Sequence, residues 1–454
     1  MRLLAAAALL IGLLSAAPAH GAEITRTYRI GPITMDPYTT QYDTEDIPQP
    51  RINGSLTYMH ARVIDTAGNF VPQQIVMLHH IAFVNDGRFD GDKSQFYCRS
   101  GYKERFYGTG EEDQSLLLPA GYGYRVRSKD RWHASWMLMN HQFKTRRVYI
   151  EYTLKMDEGF GDIPVTPYWL GVAPCPRDPI FQVPGGGGPG STYTKAIDWV
   201  PPVDGRIVAV GTHLHGGAKA MNIREPDCGN RVIATSQPQY GLADDPIYHV
   251  LPQIHEPNPR FDSYPMTPTG IPIHKGERYR IEGLYDNELP HARVMAIMHA
   301  YVAPPTAPAP AKCAPLPTDI QTINWTQPFR LDVPKVFIPL AVRGSDGRAK
   351  AISTLPGPYY APKADAAVLI KNFRFNRPKV VIDPGRSVRW LFDDTTVHDV
   401  TTANGPTAFG SQHLRNGQGW HLRFTRPGTY QVYCTLHPLD MHQIIKVRAT
   451  KRKR

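Results

Sequence analysis

Cys434-Thr435-Leu436-His437-Pro438-Leu439-Asp440-Met441 follows an alternating, strand-like stretch and places a thiolate, an imidazole and a thioether within eight residues. Thiolate and thioether sulfur suit Cu(I), and imidazole suits both oxidation states. Two histidines and one cysteine with a weak axial methionine let copper change state with little rearrangement. Such a set needs a second histidine. Thr395-Thr396-Val397-His398-Asp399-Val400 supplies it, after Ser387-Val388-Arg389-Trp390-Leu391-Phe392, whose apolar residues alternate with polar ones as on a half-buried strand. The expected ligands of this site are His398, Cys434, His437 and Met441. In the bland reading Cys434 is a buried thiol among surface histidines; lone buried cysteines are common, but this constellation is not.

Residues 364 to 447 as a whole resemble a cupredoxin of the plastocyanin and pseudoazurin type. The resemblance rests on Asn372-Phe373, Asp383-Pro384-Gly385, Trp390, His398, Pro427-Gly428-Thr429-Tyr430 and the Cys-x2-His-x3-Met end. It implies a Greek-key β-sandwich holding one type 1 copper. In laccase-like multicopper oxidases and copper nitrite reductases, a histidine beside the type 1 cysteine wires electrons to the catalytic copper. Here Cys434 sits between Tyr433 and Thr435, so neither kind of enzyme is expected.

With 454 residues and 41% hydrophobic content, the chain is long enough for two or three domains with substantial cores. Met1-Arg2, the apolar run 3–17 and the small residues Ala19, Gly21 and Ala22 read as a secretory signal peptide, cleaved between Ala19 and Ala22. That run is too short for a membrane span, and no later stretch approaches the ~20 apolar residues one needs. The expected mature protein is exported, to the periplasm or the extracellular space. Setting Cys434 aside for copper leaves Cys98, Cys175, Cys228 and Cys313 for two disulfides, as that compartment permits. Cys228 with Cys313 is the preferred pair, because both flank one domain. The net charge of +11 and the end Lys451-Arg452-Lys453-Arg454 suit an anionic surface or an acidic redox partner, although a solvated tail explains them too. No nucleic-acid-binding signature accompanies them.

Residues 23 to 300 carry short alternating segments such as Arg147-Val148-Tyr149-Ile150-Glu151-Tyr152-Thr153-Leu154, broken by Gly, Pro, Asn and Asp, with no long helical period. This predicts an all-β chain of sandwiches. Gly185-Gly186-Gly187-Gly188-Pro189-Gly190 lacks the Gly-Lys-Ser/Thr end of a phosphate loop and reads as a plain loop. Ala303-Pro304-Pro305-Thr306-Ala307-Pro308-Ala309-Pro310 reads as a stiff, extended linker. The expected organisation is a signal peptide at 1–22, β-sandwiches at 23–165 and 166–302, a linker and less readable segment at 303–363, the cupredoxin at 364–448 and a basic tail at 449–454.

Histidines recur in the first region as His79-His80, as His141 ending Trp136-Met137-Leu138-Met139-Asn140-His141, and as His213-Leu214-His215. Strand residues at i and i+2 share a face, so His213 and His215 can reach one metal. His79 and His80 point to opposite faces unless a bulge or strand end intervenes. Spacing alone fits metal ligands and ordinary histidines equally well. His60, His255, His274, His299, His413 and His421 take a default structural reading.

The order His-His, then Leu-x-x-His, then Thr-His-x-His resembles the copper type II, ascorbate-dependent monooxygenases, such as peptidylglycine α-hydroxylating monooxygenase and dopamine β-hydroxylase. His79-His80-Ile81-Ala82-Phe83, Leu118-Pro119-Ala120-Gly121-Tyr122 and Gly211-Thr212-His213-Leu214-His215-Gly216-Gly217 carry that resemblance over roughly residues 50 to 300. It implies one copper on His79, His80 and His141, and an oxygen-binding copper on His213, His215 and a methionine. The methionine's place falls at His291, with Met295 as the substitute. The arginine that anchors a peptide carboxylate in the amidating enzymes falls at Gly211, so peptide amidation is not expected. The segment from Leu56-Thr57-Tyr58-Met59-His60 to His79-His80, with His291-Ala292-Arg293-Val294-Met295, also resembles the plant stress-up-regulated nodulin family; that likeness supports His291 as a ligand.

The resulting expectation is a multi-site copper protein. Its type 1 copper passes electrons to up to two type 2 coppers, and a small-molecule substrate is hydroxylated at a carbon-hydrogen bond with O2. The alternative is a non-enzymatic copper-binding or electron-carrier protein on a degenerate monooxygenase-like scaffold. Either needs an external electron donor or acceptor.

Overall fold

The computed structural model describes residues 21–89, 103–173, 179–324 and 327–449. Most of the expected signal peptide, Cys98, Cys175 and the basic end at 451–454 lie outside the described residues. The chain is all-β: two β-sandwiches followed by a cupredoxin sandwich.

In the first sandwich, Glu23–Met35, Arg146–Glu158, Gly54–Asp65 and Tyr122–Val126 form one layer. Thr40–Ile47, Trp132–Asn140, Val76–Phe89 and Lys103–Gly110 form the other. Alternation decides which side chains face inward. In Arg146–Glu158, Val148, Ile150, Tyr152, Leu154 and Met156 are buried and pack with Phe83, Phe106 and Trp132.

The second sandwich follows through an unbroken ladder. Ile163–Gly171 spans the expected boundary at 165/166, pairing in parallel with Tyr122–Val126 at its start and antiparallel with Ala296–Ala303 along its later part. The ladder continues through Gly205–Leu214 and Phe261–Ile273, then Arg231–Gln239, Ala218–Glu225, Tyr279–Asp286 and Thr192–Trp199. Val210, Ile271 and Met298 from one arm share a core with Met221, Ile281 and Trp199 from the other, so the sheet folds over onto itself. Cys228 is bonded to Cys313, the preferred pair. This ties the segment beyond the exposed proline stretch to the second sandwich.

The cupredoxin consists of two four-stranded sheets. One orders Arg374–Phe375, Ala366–Lys371, Ser387–Phe392 and Gly419–Arg423; the other orders Lys379–Ile382, His442–Val447, Gly428–Tyr433 and Thr401–Asn404. Val388, Trp390 and Phe392 alternate inward, and Trp390 meets Phe409, Trp420 and Phe424.

The cupredoxin presses its ligand loop onto the sandwiches. Met77, Met137 and Met139 of the first sandwich, with Ile247, Val250 and Ile254 of the second region, join one apolar cluster with Cys434, Leu436 and Met441. Burial of such surface, worth about 25 cal/mol per Å², holds the faces together. Around it, Arg426 Nη1 donates to the Gly185 carbonyl at 3.1 Å, and Arg293 donates to the Ser411 carbonyl.

Candidate metal centres

Cys434, His437 and Met441 converge because the loop after Gly428–Tyr433 is wound tightly. The His437 amide donates to the Cys434 carbonyl at 3.1 Å, the Met441 amide to the His437 carbonyl at 3.1 Å, and the Cys434 amide back to the Met441 carbonyl at 3.2 Å. His398 reaches the loop from the far side, held by a two-way backbone bridge to Leu414. His398 Nδ1 lies 3.1 Å from His437 Nδ1, and Cys434 Sγ lies 3.5 Å from His437 Nδ1. Nitrogen ligands about 2 Å from one metal must stand about 2.8–3.3 Å from each other, and thiolate bonds are longer. These separations therefore suit a shared ion, and all three ligand atoms lie within 4.8 Å of one another. Met441 is fully buried in the same cluster.

The surroundings favour soft-metal ligation. Burial, with the Asp399 carboxylate nearby, pushes the Cys434 thiol well above its ordinary range. A bound cation must displace that proton. Burial and the neighbouring His398 push His437 down to about 4, and burial lowers His398, so both rings are neutral lone-pair donors at pH 7. His398 Nε2 lies 3.2 Å from Asp394 Oδ2, close enough for charge attraction but too poorly aligned for a hydrogen bond.

A second gathering lies between the sandwiches. The pairing of Val76–Phe89 with Trp132–Asn140 slips between Leu78 and His80, leaving His79 as the extra residue. That irregularity removes the strict alternation and lets adjacent histidines aim together: His79 Nδ1 and His80 Nδ1 are 2.9 Å apart. His213 and His215, at the end of Gly205–Leu214, bring their Nε2 atoms to 3.2 Å. The pairs meet each other, with ring centroids 5.5 Å apart for His79 and His215 and 6.4 Å for His80 and His213.

The sequence reading missed three members. His255 lies 4.5 Å from His79 and 5.5 Å from His215, centroid to centroid. Glu111 and Glu112 are 1% and 0% exposed, a costly placement for carboxylates unless cations or donors meet them. Glu112 Oε1 takes His213 Nδ1 at 3.0 Å, and Glu111 Oε1 lies 2.8 Å from His255 Nε2. That last contact is too poorly aligned for a hydrogen bond, leaving both buried atoms without one. His79, Glu111 and His255 bring one ligand atom each within 4.8 Å. The adjacent acidic pair was the available signal; nothing in the spacing marked His255.

Burial pushes His80 down to about 3 and lowers His79 and His215 well below the ordinary imidazole range, with the surrounding histidines adding to it. Burial also opposes charge on His213 and His255, but Glu112 and Glu111 respectively outweigh it and raise them.

The expected third ligands have polar partners of their own. His141 Nδ1 meets the Gln73 carbonyl at 3.2 Å, and its buried Nε2 lacks a hydrogen-bond partner. His291 is gripped by Glu256 at 2.5 Å and faces Asp286 at 3.7 Å; burial disfavours its charge, but Glu256 leads the interactions that push it up to about 10. Met295 lines the same cavity as His79, His80, His215 and His255, and its carbonyl accepts the His215 amide at 3.4 Å. The cavity, of about 950 Å³, reaches His413 and Tyr433 of the cupredoxin.

No protein-family model matches the chain. Amicyanin-alpha of Methylorubrum extorquens is 30% identical over 100 residues, 21% of this chain and 84% of that protein. Amicyanin of Paracoccus denitrificans is 28% identical over 114 residues, 23% of this chain and 87% of that protein. Among solved structures, an oxidized amicyanin mutant matches at 26% identity over 18% of this chain and 81% of that one, with a TM-score of 0.17. The Cu(I) form of another amicyanin mutant matches at 26% identity over 19% and 85%, with a TM-score of 0.18. Through this part of its length, a cupredoxin-type copper electron-transfer domain, the chain belongs to the amicyanin family.

Proposed function

We propose that the protein is an exported, multi-site copper oxidoreductase in which the cupredoxin delivers electrons to a second metal centre among the buried histidines of the sandwiches. The observation that carries this reading is the convergence of His79, Glu111 and His255, flanked by the His79–His80 and His213–His215 nitrogen pairs, on a cavity that the cupredoxin helps to line. His398, Cys434, His437 and Met441 hold the type 1 copper, whose cycling between Cu(I) and Cu(II) moves one electron at a time.

The reaction class is hydroxylation of a carbon-hydrogen bond with O2. One oxygen atom enters the substrate and the other leaves as water, consuming two electrons and two protons; the electrons come from an external reductant through the cupredoxin. The histidines bind and orient. Export is supported by the signal-like N-terminal sequence and the Cys228–Cys313 bond, which suits an oxidising compartment. No helix among the described residues is long and apolar enough to cross a membrane. The basic charge balance suits an acidic redox partner.

Copper counting with electron paramagnetic resonance on the mature protein tests this. More than one copper per chain is expected, one with the narrow hyperfine splitting of a blue site. His255→Ala with Glu111→Gln should remove the second signal, and His60→Ala, whose ring pairs with Asp113 at 2.8 Å, should not. Oxygen uptake with a reductant should be lost in His215→Ala. The second reading, a non-enzymatic copper carrier, draws on His291, which is held between two carboxylates. A single copper per chain and no oxygen uptake would establish it.

A further inference from the structure

The two centres are joined through bonds. Tyr433 precedes Cys434 in the chain, and its hydroxyl donates a hydrogen bond to the carbonyl of Ile254. Ile254 in turn precedes His255, whose ring sits in the histidine gathering. From this we infer that Tyr433 carries the electron path from the type 1 copper to the second centre, in the order Cys434, Tyr433, Ile254, His255. The inference rests on the function proposed above and gives it a route.

Every link but one is covalent, and the one exception is a hydrogen bond in a dry setting. Tyr433 and Ile254 are 3% and 2% exposed, so water does not compete for the contact. Electron tunnelling decays more steeply across empty space than along bonds, and a hydrogen bond bridges the gap between domains with little loss. The other flank of Cys434 leads elsewhere. The Thr435 carbonyl accepts from Thr40 Oγ1 at 3.4 Å, and the same hydroxyl contacts Met139 Sδ at 3.0 Å, with no histidine of the second centre next in the chain to either residue. A chain lacking a histidine beside its type 1 cysteine thus reaches its second centre through the side chain of the preceding residue.

The step moves one electron and no atoms. Cu(I) held by Cys434 is oxidised to Cu(II), and an oxidised copper at the His255 centre is reduced by one electron. The Tyr433 hydroxyl keeps its proton throughout.

The test uses the full-length, copper-loaded protein. A radiolytic pulse reduces the type 1 copper, and the return of its blue absorbance reports onward transfer. Tyr433→Phe should slow that return by roughly tenfold or more, with metal content, blue spectrum and type 1 potential unchanged, which separates a path from a structural support. Tyr433→Met, an unbranched replacement that also lacks the hydroxyl, serves if the phenylalanine variant fails to hold copper, and the same slowing is expected. Thr40→Val, which removes the contact on the other flank, should leave the rate as it is. An unchanged rate in a Tyr433 variant with both centres loaded overturns the path. A wild-type protein that binds only the type 1 copper overturns the function on which it rests, and the metal count distinguishes the two failures.

Discussion

The Asp399 backbone amide donates to Cys434 Sγ at 3.4 Å, while the Asp399 carboxylate, fully buried, accepts from the Thr401 hydroxyl at 2.7 Å and from the Thr435 amide and hydroxyl. One residue thus orients the sulfur and ties together both segments that flank it. Replacing Asp399 by Ala would leave the threonine donors unpaired in the interior. Hydrogen bonds to a charged group contribute about 1.5–3 kcal/mol each when removed, so Asp399→Ala, which removes three, should lower unfolding free energy by at least about 4 kcal/mol. Denaturant titration measures this, and an unchanged midpoint would contradict the role.

Cys434→Ser replaces a soft thiolate with a hard hydroxyl and should abolish the blue colour, since the strong absorption of such sites arises from sulfur-to-copper charge transfer. Copper bound among the sandwich histidines should persist, because none of them contacts the thiol. Loss of all copper from this variant would show that the two centres do not fill independently.

Glu112 accepts from His213 Nδ1 and so presents Nε2 toward His215. Outer partners of this kind are worth about 10–100-fold in metal affinity. Glu112→Gln should weaken copper binding at the second centre by that factor without changing the type 1 signal, as competition with a chelator would show.

Gly217 adopts φ +86°, where a side chain is strained, and a Cβ there would lie 2.5 Å from the His291 ring. Backbone strain of this kind costs about 1–3 kcal/mol. Gly217→Ala should therefore lower the melting temperature and disturb the His291–Glu256 pair. A variant as stable as the parent would show that the loop moves freely.

Burial would raise the pKa of Asp319, but the Thr267 hydroxyl at 2.6 Å and the Thr269 amide at 2.9 Å outweigh it and hold the carboxyl below its ordinary range. A depressed carboxylate contributes stability that is present in full above the unfolded pKa and is lost as pH falls through the folded one. Parent and Asp319→Asn should thus differ in stability at neutral pH and converge in acid. A difference that persists below the folded pKa would rule out this carboxylate as the cause.

Much of the architecture was legible because it is written in local patterns. Alternation in Arg146–Glu158 and Ser387–Phe392 decides which residues face inward, whatever they pack against. The ligand loop was readable for the same reason: Cys434, His437 and Met441 are brought together by backbone hydrogen bonds spanning a few residues. The His213–His215 pair follows from strand periodicity alone.

The His79–His80 pair did not, because the slip that aligns the two rings exists only against the opposing strand Trp132–Asn140. His255, Glu111 and Glu112 carry no periodic signal, and their meeting depends on how two sandwiches stack. His291 fits the motif around it, yet its ring is paired with Glu256 and faces Asp286.

By itself, then, the sequence determined an all-β chain and the thiol, imidazole and thioether side chains of the cupredoxin loop, since both depend on neighbours in the chain. Only the tertiary structure decided which buried histidines gather between the sandwiches and that Tyr433 touches Ile254, 179 positions away. Side chains so distant in sequence meet where sheets pack, and that packing is settled by the burial of whole faces rather than by any local period.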